Sequence, residues 1–380
     1  MKLLILKEKA TNETRVAATP ETVKEYVNLG IAVEVEKKTG EKSGFNDDDY
    51  KKAGAKISAD IEKSIETADI LLKLQPPTQV QISKMKDGAA LIGLLASNLT
   101  PSQIKKYADA KVSTFAMEFI PRITRAQNMD VLSSQSNLAG YKAVIDAVSE
   151  FNRVIPMMVT AAGTIRPAKT LILGAGVAGL QAIATAKRLG AIVSAFDVRT
   201  AAKEQVESLG ATFIQVEEDK SEDGETATGY AKEMSAEYKK KQSALIHETL
   251  KEQDIVICTA LIPGKKAPVL IPEKFVKDMK QGSIIVDLAV ASGGNCPLSE
   301  QDKVIERSGV KIVGYSNTAG RVANDASKLY AKNLFNFISL MIEKDAKKLK
   351  IDLEDEIIAS CLLTHDGAVV HNSLKEEAKK

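Results

Sequence analysis

The sequence predicts an α/β protein made of two Rossmann-like, doubly wound parallel-sheet domains joined by long helices. Short apolar runs alternate with charged segments of helical period along nearly the whole chain. The runs are continuously apolar, as in parallel strands that helices cover on both faces. The chain has 380 residues, of which 44% are hydrophobic, which is enough for two or three domains with cores of their own.

The predicted strands are the short apolar runs at residues 3–6, 31–35, 70–72, 89–94, 171–173, 192–196, 255–258, 283–287 and 310–313. Two longer patterns, with apolar residues three and four positions apart, predict the joining helices at residues 133–162 and after Arg321. The second helix can carry the chain back to the first domain. We therefore expect one domain from residues 1–135 plus 326–380 and a Rossmann domain from residues 136–325. The Lys- and Glu-rich stretch from Asp345 is expected to be a solvated or frayed tail.

Charge and cysteine content argue against several classes of protein. The 52 Lys and Arg residues against 50 Asp and Glu give a net charge of +2, and we expect no nucleic-acid partner. Cys258, Cys296 and Cys361 lie far apart without a histidine at metal-ligand spacing, which indicates neither a zinc site nor disulfides. No apolar stretch approaches the roughly 18 to 20 residues that span a bilayer. We expect a soluble chain from a reducing compartment that is still able to dock on a membrane partner.

The strongest local motif is the glycine-rich turn Gly174-Ala175-Gly176-Val177-Ala178-Gly179, between a predicted strand and a predicted helix. The first glycine permits a tight bend, the second lets the backbone approach a pyrophosphate, and the third allows close packing of helix on strand. The next strand ends at Asp197, whose carboxylate suits the ribose hydroxyls of NAD(H) and repels a 2′-phosphate. The nearby Arg199 leaves this preference open. The alternative is a purely structural turn, with Asp197 capping a helix near Thr200.

The shortage of histidine bears on the chemistry. His247, His365 and His371 are the three histidines of the chain, and each is interpreted as a surface or packing residue. Dehydrogenation of an alcohol or amine also removes a proton and usually needs a base, often histidine, beside the nicotinamide. Hydride transfer between two carbons, such as those of two nicotinamides, needs no such base. The sequence therefore favours that transfer over an ordinary substrate dehydrogenase.

A polar segment at residues 122–136 precedes the first joining helix. Its side chains suit a carboxamide, a ribose or a phosphate, and Asp130 is placed to fix both arginines of the segment. The alternative is a charged loop in which Ser133 or Ser134 caps the helix.

An acidic, glycine-interrupted segment occupies residues 217–232. Loops of this length are usually functional lids or disordered insertions. Tyr230 is the residue that would fold onto a bound nucleotide if this one is a lid, and an inert insertion is the alternative.

Seven segments carry a resemblance to a known family: ETRVAATP (13–20), RITRAQNMDVLSSQSNLAGY (122–141), LILGAGVAGLQAIATAKRLGA (171–191), FDVR (196–199), GYA (229–231), TALIPGKKAP (259–268) and VDLAVASGGN (286–295). Together they resemble the soluble NAD(H)-binding component, called domain I or the alpha subunit, of the proton-translocating nicotinamide nucleotide transhydrogenases. The resemblance covers nearly the whole chain. It is specific, because the 122–141 segment and the GYA loop do not belong to Rossmann proteins in general.

Alanine dehydrogenases and saccharopine-type enzymes are related families with the same RVA-x-TP start and two-lobed plan. In alanine dehydrogenases the segments matching Leu94–Ser97 and Asp287–Ser292 carry a catalytic His and a second Asp. Here they read LLAS and DLAVAS, so those catalytic groups are absent. Arg15 and Lys73 remain where such enzymes bind a carboxylate, either as relics or as packing and ion-pairing residues.

The resemblance implies the site residues. Those that would line the nicotinamide and its ribose, and act in catalysis, are Arg122, Gln127, Asp130 and Ser133, with Gln127 reaching toward the partner's nucleotide. The same cofactor-binding segment includes Ile123, Thr124 and Arg125. The pyrophosphate would be held by Gly174, Gly176, Val177 and Gly179. The adenosine ribose would be bound by Asp197, with Val198 and Arg199 beside it. A mobile loop over NAD(H) would contain Gly229 and Tyr230, and the cofactor would be flanked by Ala260 and Leu261.

The resemblance also implies cofactors and partners. NAD(H) would bind this chain, NADP(H) would bind a partner subunit, and hydride would pass directly between their nicotinamides. We expect a homodimer, active only with partners, that docks an NADP(H)-binding beta subunit and a membrane-spanning subunit coupling transfer to proton translocation. This is the Si-specific/Re-specific type of enzyme, and the chain is interpreted as a split alpha subunit on the inner, cytoplasmic side of the cell membrane. The alternatives are an alanine dehydrogenase-type amino-acid oxidoreductase and a non-catalytic NAD(H)-sensing protein.

Overall fold

The computed structural model of the protein describes residues 1–96, 99–216, 234–262, 265–343 and 348–375. The chain forms two compact units. Unit 1 consists of Met1–Gln135 and Gly320–Lys380, and unit 2 consists of Ser136–Ala319.

The strands are short and most lie in two large sheets. In chain order they are β1 Lys2–Ile5, β2 Ala32–Val35, β3 Lys56–Ile57, β4 Ile70–Leu72, β5 Ala90–Gly93, β6 Ser113–Ala116, β7 Met158–Thr160, β8 Gly163–Ile165, β9 Lys169–Leu173, β10 Ile192–Phe196, β11 Thr212–Ile214, β12 Ile255–Cys258, β13 Ile284–Asp287, β14 Val304–Arg307, β15 Val310–Val313, β16 Ile342–Glu343, β17 Lys348–Leu349, β18 Leu362–His365 and β19 Ala368–Val369.

The helices between them are α1 Pro20–Asn28, α2 Asp47–Lys52, α3 Ile61–Thr67, α4 Gln79–Ser83, α5 Pro101–Asp109, α6 Val131–Glu150, α7 Val177–Arg188, α8 Ala202–Ser208, α9 Ala236–Leu250, α10 Glu273–Val276, α11 Ala323–Ser339, α12 Glu356–Cys361 and α13 Asn372–Lys375. Two of the starts show how the sequence sets them. Thr19 and Thr100 each cap a helix whose first residue is proline, the position where a missing N–H costs nothing.

The sheet of unit 1 has eight strands in the order β19-β18-β6-β5-β4-β1-β2-β3. Strands β1 to β6 pair in parallel, whereas β18 is antiparallel to both of its neighbours. Alternate residues of β1 enter different cores, Leu3 on one face and Leu4 on the other. The sheet is therefore buried on both faces, which explains why its strands are continuously apolar.

The sheet of unit 2 has seven strands in the order β11-β10-β9-β12-β13-β15-β14. It is parallel except for β14, which pairs antiparallel with β15 at one edge. Counted from β9, the first five strands follow the 3-2-1-4-5 order of a dinucleotide-binding fold. Ile172 packs into one core and Leu171 into the other, so this sheet is also buried on both faces. The predicted fold class is confirmed.

The first predicted joining helix is too long. Helix α6 ends at Glu150, and an exposed hairpin of β7 and β8 occupies residues where the helix was expected to run to 162. Pro156 has no N–H for a helical hydrogen bond, and the preceding Val154 and Ile155 are β-branched. These residues break the helix, although the apolar spacing continues for some way past its end.

The prediction of a frayed tail from Asp345 is wrong over residues 348–375. Helix α12 buries Ile357 and Ile358, and β18 joins the main sheet with Leu363 fully buried. The abundance of Lys and Glu in this stretch masked a short apolar segment. Residues 376–380 lie outside the described ranges of the chain.

Two negative findings apply to the described ranges. None of their helices combines the length and apolar character needed to cross a membrane. Nor do they contain a group of three or more His, Cys, Asp or Glu residues placed to hold a metal ion.

Candidate functional site

In unit 2 the glycine-rich turn joins the end of β9 to the start of α7. Gly174 has φ +99, and a Cβ on Gly179 would lie 1.8 Å from the carbonyl oxygen of Gly174. Both positions therefore require glycine, one for the bend and the other for the close approach of helix and strand. A Cβ on Gly176 would meet no atom within 4 Å, so the turn leaves open space at its centre. No side chain caps α7 at Gly176, and Val177 is 38% exposed in the first turn.

These features fit a dinucleotide pyrophosphate. The first N–H groups of a helix have no intrahelical acceptor, and the helix dipole adds partial positive charge at this end. An anion placed in the open space would accept hydrogen bonds from them. The turn therefore has the space, the donors and the polarity for NAD(H).

Asp197 lies directly beside this turn at the end of β10. Its Oδ2 accepts a hydrogen bond from the N–H of Ala175 at 2.7 Å. The guanidinium of Arg199 binds both carboxylate oxygens, through Nε at 2.9 Å and an η nitrogen at 2.8 Å, and the Arg199 N–H donates to Oδ1. Asp197 is 8% exposed, so its negative charge is both partly buried and paired. Val198, the residue between the two, packs beside the core of this unit.

The alternative in which Asp197 caps a helix near Thr200 is wrong. Helix α8 begins at Ala202, and its N-terminal cap residue Ala201 provides no side-chain hydrogen bond. Asp197 accepts instead from the N–H groups of Ala175 and Arg199. Its carboxylate thus links the turn to the end of the neighbouring strand.

A second wall follows β12. The Oγ1 of Thr259 donates to the carbonyl of Gly174 at 2.9 Å. A Cβ on Gly174 would lie 3.1 Å from the backbone N of Ala260, which places Ala260 against the turn. Leu261 is 45% exposed next to it. The structure thus places the predicted residues of unit 2 around one turn.

In unit 1 the polar segment folds as a 3-10 helix, Thr124–Met129, just before α6. Ala126 and Met129 enter the core, while Gln127 is exposed. The Gln127 side chain makes no hydrogen bond to any residue in the described ranges. Arg122 and Thr124 are also exposed, and Ile123 packs against the core.

Asp130 caps α6. Its Oδ1 accepts from the N–H of Ser133 at 2.8 Å, and its Oδ2 accepts from the Ser133 hydroxyl at 2.5 Å. The expectation that Asp130 fixes both arginines is wrong for Arg125, whose guanidinium binds Asp355 through two hydrogen bonds of 2.7 and 2.8 Å. The capping alternative is correct for this position, but Asp130, one residue before the helix, is the cap in place of Ser133 or Ser134.

Two asparagines that were not predicted from the sequence hold this segment. The Nδ2 groups of Asn333 and Asn336 on α11 both donate to the carbonyl of Asn128, at 2.8 and 2.9 Å. The Oδ1 of Asn333 also accepts from the hydroxyl of Ser134 at 2.7 Å. The backbone beside Gln127 is therefore fixed while the Gln127 side chain remains free to contact a ligand. Buried polar residues on the apolar face of a predicted helix were the available indication.

Arg15 and Lys73 are both buried and paired in unit 1. The Arg15 guanidinium makes two 2.8 Å hydrogen bonds to the carboxylate of Glu13 and a third to the Gln135 side chain. Lys73 lies 3.3 Å from Glu8. Burial by itself raises the pKa of Glu13, but hydrogen bonds and charge from Arg15 outweigh it and the pKa falls. Of the two interpretations left open, ion pairing is correct.

Some predicted positions lie outside the described residues. Gly229, Tyr230 and the remainder of the 217–232 segment fall among residues 217–233. Ser97, the last residue of the segment matched to alanine dehydrogenases, also lies outside, whereas Ala96 is described.

Comparison with known proteins places the whole chain in one group. Residues 4–139 match the alanine dehydrogenase/PNT N-terminal domain, and residues 143–372 match the alanine dehydrogenase/PNT C-terminal domain. A relative from Rhodospirillum rubrum, named as the first of the parts that make up an NAD(P) transhydrogenase subunit alpha, is 51% identical over 379 residues. That match covers 98% of this chain and 99% of the relative.

Solved structures give the same result. A transhydrogenase from Sinorhizobium meliloti superposes with a TM-score of 0.85 at 47% identity and covers 98% of this chain and 100% of its own. An L-alanine dehydrogenase superposes with a TM-score of 0.82 at 24% identity, covering 99% of both chains, and shows the shared fold.

Proposed function

Because the chain belongs to the alanine dehydrogenase/PNT family, and within it to the NAD(P) transhydrogenase alpha subunits, we propose that it is the NAD(H)-binding subunit of a proton-translocating transhydrogenase. It holds NADH for direct hydride transfer to NADP⁺ on a partner subunit. NADH, once bound, supplies a hydride, which is two electrons with one proton, from its dihydronicotinamide C4 to the C4 of the other nicotinamide. No oxygen or nitrogen loses a proton in this step, so the chain needs no general base.

One observation favours this function over amino-acid oxidation. The two cations positioned for a substrate carboxylate, Arg15 and Lys73, are 8% and 4% exposed and are paired with glutamates of the same chain. A substrate carboxylate would have to displace Glu13 from two hydrogen bonds. Breaking a buried ion pair leaves an uncompensated charge and costs roughly 3–5 kcal/mol.

The proposed roles of the site residues follow from their surroundings. In unit 2 the pyrophosphate contacts Gly174, Gly176, Val177 and Gly179, the adenosine ribose contacts Asp197 beside Val198 and Arg199, and Ala260 and Leu261 flank the cofactor. In unit 1 the nicotinamide end of the cofactor contacts Arg122, Gln127, Asp130 and Ser133, on the segment that includes Ile123, Thr124 and Arg125. Gly229 and Tyr230 are proposed to close over the bound cofactor.

Catalysis in this proposal is a matter of placement. Donor and acceptor carbons must come within about 3–3.5 Å in line, with water excluded. The fixed backbone around Gln127 serves this requirement, because Asn128 is held by two amides from α11. Gln127 itself is exposed and therefore available to contact a nucleotide carried by another subunit.

We further propose that the chain acts as a homodimer and docks an NADP(H)-binding beta subunit and a membrane-spanning subunit, so that it lies peripherally on the inner side of the cell membrane. The β7–β8 hairpin of unit 2 supports the dimer. Met157, Val159 and Ile165 are 62%, 73% and 41% exposed, and an apolar groove of about 630 Å³ that includes Ile155 and Leu189 lies beside them. Contiguous apolar surface of this kind is typical of protein interfaces. A second copy of the chain is the occupant we propose.

The dimer is tested by light scattering. Val159→Asp should place a charge in the interface and give a monomer, whereas Val80→Asp, at a position that is 62% exposed in unit 1, should leave the dimer intact. A Val159→Asp protein that stays dimeric with a normal melting temperature would rule out this surface.

The proposed activity is tested by mixing the chain with its NADP(H)-binding partner subunit and following reduction of an NAD analogue by NADPH. Reduction that requires both proteins supports the proposal. Alanine-dependent NADH formation by the chain alone would overturn it in favour of an amino-acid dehydrogenase. Tight NADH binding without transfer in the mixture would favour a nucleotide-sensing protein.

A further inference from the structure

Asn295 in unit 2 is fully buried and uses its whole side-chain carboxamide on the backbone of another loop. Its Oδ1 accepts from the N–H of Ala260 at 3.1 Å. Its Nδ2 donates to the carbonyls of Ala260 and Pro268 at 2.9 and 2.8 Å. A carboxamide is required here, because one N–H and two carbonyls must be paired at the same time. A carboxylate would match only the N–H.

The backbone of Asn295 is held as firmly as its side chain. Its N–H donates to Asp287 Oδ1 at 3.2 Å, and its carbonyl accepts from the N–H groups of Leu270 and Ile271 at 2.9 and 3.0 Å. Asp287 also accepts from the N–H of Cys296 at 3.0 Å. The buried Asp287 carboxylate at the end of β13 thus fixes Asn295, and Asn295 fixes the loop that follows β12.

That loop forms part of the nucleotide site. The N of Ala260 would lie 3.1 Å from a Cβ on Gly174, and the Thr259 hydroxyl donates to the Gly174 carbonyl. If the Ala260 peptide rotated, its N–H would leave Asn295 and move against the glycine-rich turn. Leu261, half exposed at the adjacent position, would move with it.

We propose that Asn295 is a positioning residue for NAD(H) binding. It does not touch the cofactor. It sets the orientation of the Ala260 peptide and so the distance between the wall after β12 and the glycine-rich turn. The inference rests on the proposed NAD(H) site of unit 2 and does not require hydride transfer.

The test compares two variants that each replace a buried carboxamide by a carboxylate. Asn295→Asp puts a negative oxygen against the carbonyls of Ala260 and Pro268, and we expect NADH affinity to fall by about tenfold or more at pH 8. Gln253→Glu is the control, because Gln253 is 6% exposed in the same unit but precedes β12, at the other end of that strand. It should lower the melting temperature without changing NADH affinity.

A pH profile separates positioning from general destabilisation. A buried carboxylate facing carbonyls has a raised pKa, and its protonated form can donate one hydrogen bond. NADH affinity of Asn295→Asp should therefore recover partly between about pH 8 and pH 6, whereas the Gln253→Glu protein should show the wild-type profile. Asn295→Ser, which is too short to reach Ala260, should lose affinity without this recovery, and it serves as the test if the first variant does not fold.

Wild-type NADH affinity in both Asn295 variants, to within about twofold, would overturn the inference. Equal losses of affinity in the Asn295 variants and in Gln253→Glu would overturn it as well, because general destabilisation would then explain both. A wild-type chain that binds no NADH would contradict the proposed function itself, and that outcome is recognised before any variant is measured.

Discussion

Replacing Asp197 by alanine should weaken NADH binding by about tenfold. The carboxylate already accepts four hydrogen bonds in this structure, one from Ala175 and three from Arg199. A ribose hydroxyl must therefore replace one of these donors and does not simply add to them. A hydrogen bond to a charged group contributes about 1.5–3 kcal/mol. With a partner already in place we expect about 1–2 kcal/mol for the ribose contact, which corresponds to roughly a 5- to 30-fold change in Kd.

The same change should reduce discrimination against NADPH. Without Asp197 the 2′-phosphate meets no negative charge, and the Arg199 guanidinium is released to pair with it. We expect NADPH affinity to rise while NADH affinity falls, so that the preference for NADH decreases by more than either affinity alone. Asp197→Asn is the control for shape, because it keeps one oxygen for the N–H of Ala175 and removes the charge.

Titration of NADH fluorescence provides the assay. The chain contains no Trp, so the protein adds little emission of its own at the wavelengths used for NADH. Each variant is checked for a wild-type melting temperature before its Kd is compared. An unchanged Kd for NADH together with an unchanged preference over NADPH would refute the assigned role of Asp197.

Three further predictions concern other regions of the molecule. Gly179→Ala should abolish measurable NADH binding, because its Cβ would lie 1.8 Å from the Gly174 carbonyl; titration of the folded variant checks this, and retained binding would contradict the turn geometry. Glu13 has a lowered pKa in the folded protein, so its contribution to stability is present above its ordinary value of 4.5 and is lost as the pH falls through the lower folded value. Glu13→Gln leaves Arg15 unpaired and should lower the free energy of unfolding at pH 7 by about 3 kcal/mol while flattening the acid limb, as urea titrations at several pH values would show; parallel wild-type and variant curves would argue against it. Gln127→Ala should keep the wild-type melting temperature and NADH affinity but slow hydride transfer by about tenfold or more in the assay with the partner subunit, and an unchanged rate would remove Gln127 from the catalytic set.

Local patterns in the sequence predicted most of the sheets. The strands at 70–72, 192–196, 255–258 and 310–313 have the predicted bounds, because each is a continuous apolar run buried on both faces. The helix after Arg321 is also present as α11. The family resemblance is confirmed by the matches to both family domains and by relatives that cover nearly the whole chain.

The sequence did not predict contacts between distant segments. Arg125 and Asp355 are 230 positions apart, and Asn128 and Asn333 are 205 apart. A charge or an amide shows which partners are chemically suitable but not which of them the topology brings near. Asp130 was therefore chosen as the partner of Arg125 because it is close in sequence, although it caps its own helix.

The boundary errors have local causes. The apolar spacing of α6 continues past the point where Pro156 and two β-branched residues make a helix unfavourable. In the tail the opposite happened, because Lys and Glu dominate the composition while a few apolar residues decide the structure. Ile357 and Leu363 are both fully buried.

The position of β18 has a consequence for biosynthesis. This strand, Leu362–His365, lies against β6, and the hydroxyls of Thr114 and Thr364 meet at 2.7 Å across 250 residues of chain. Residues 136–319 form a contiguous unit that a ribosome can release to fold while the edge of β6 still waits for its neighbour. An uncovered strand edge recruits other strands, so a nascent or truncated chain that lacks β18 should depend on chaperones to avoid aggregation.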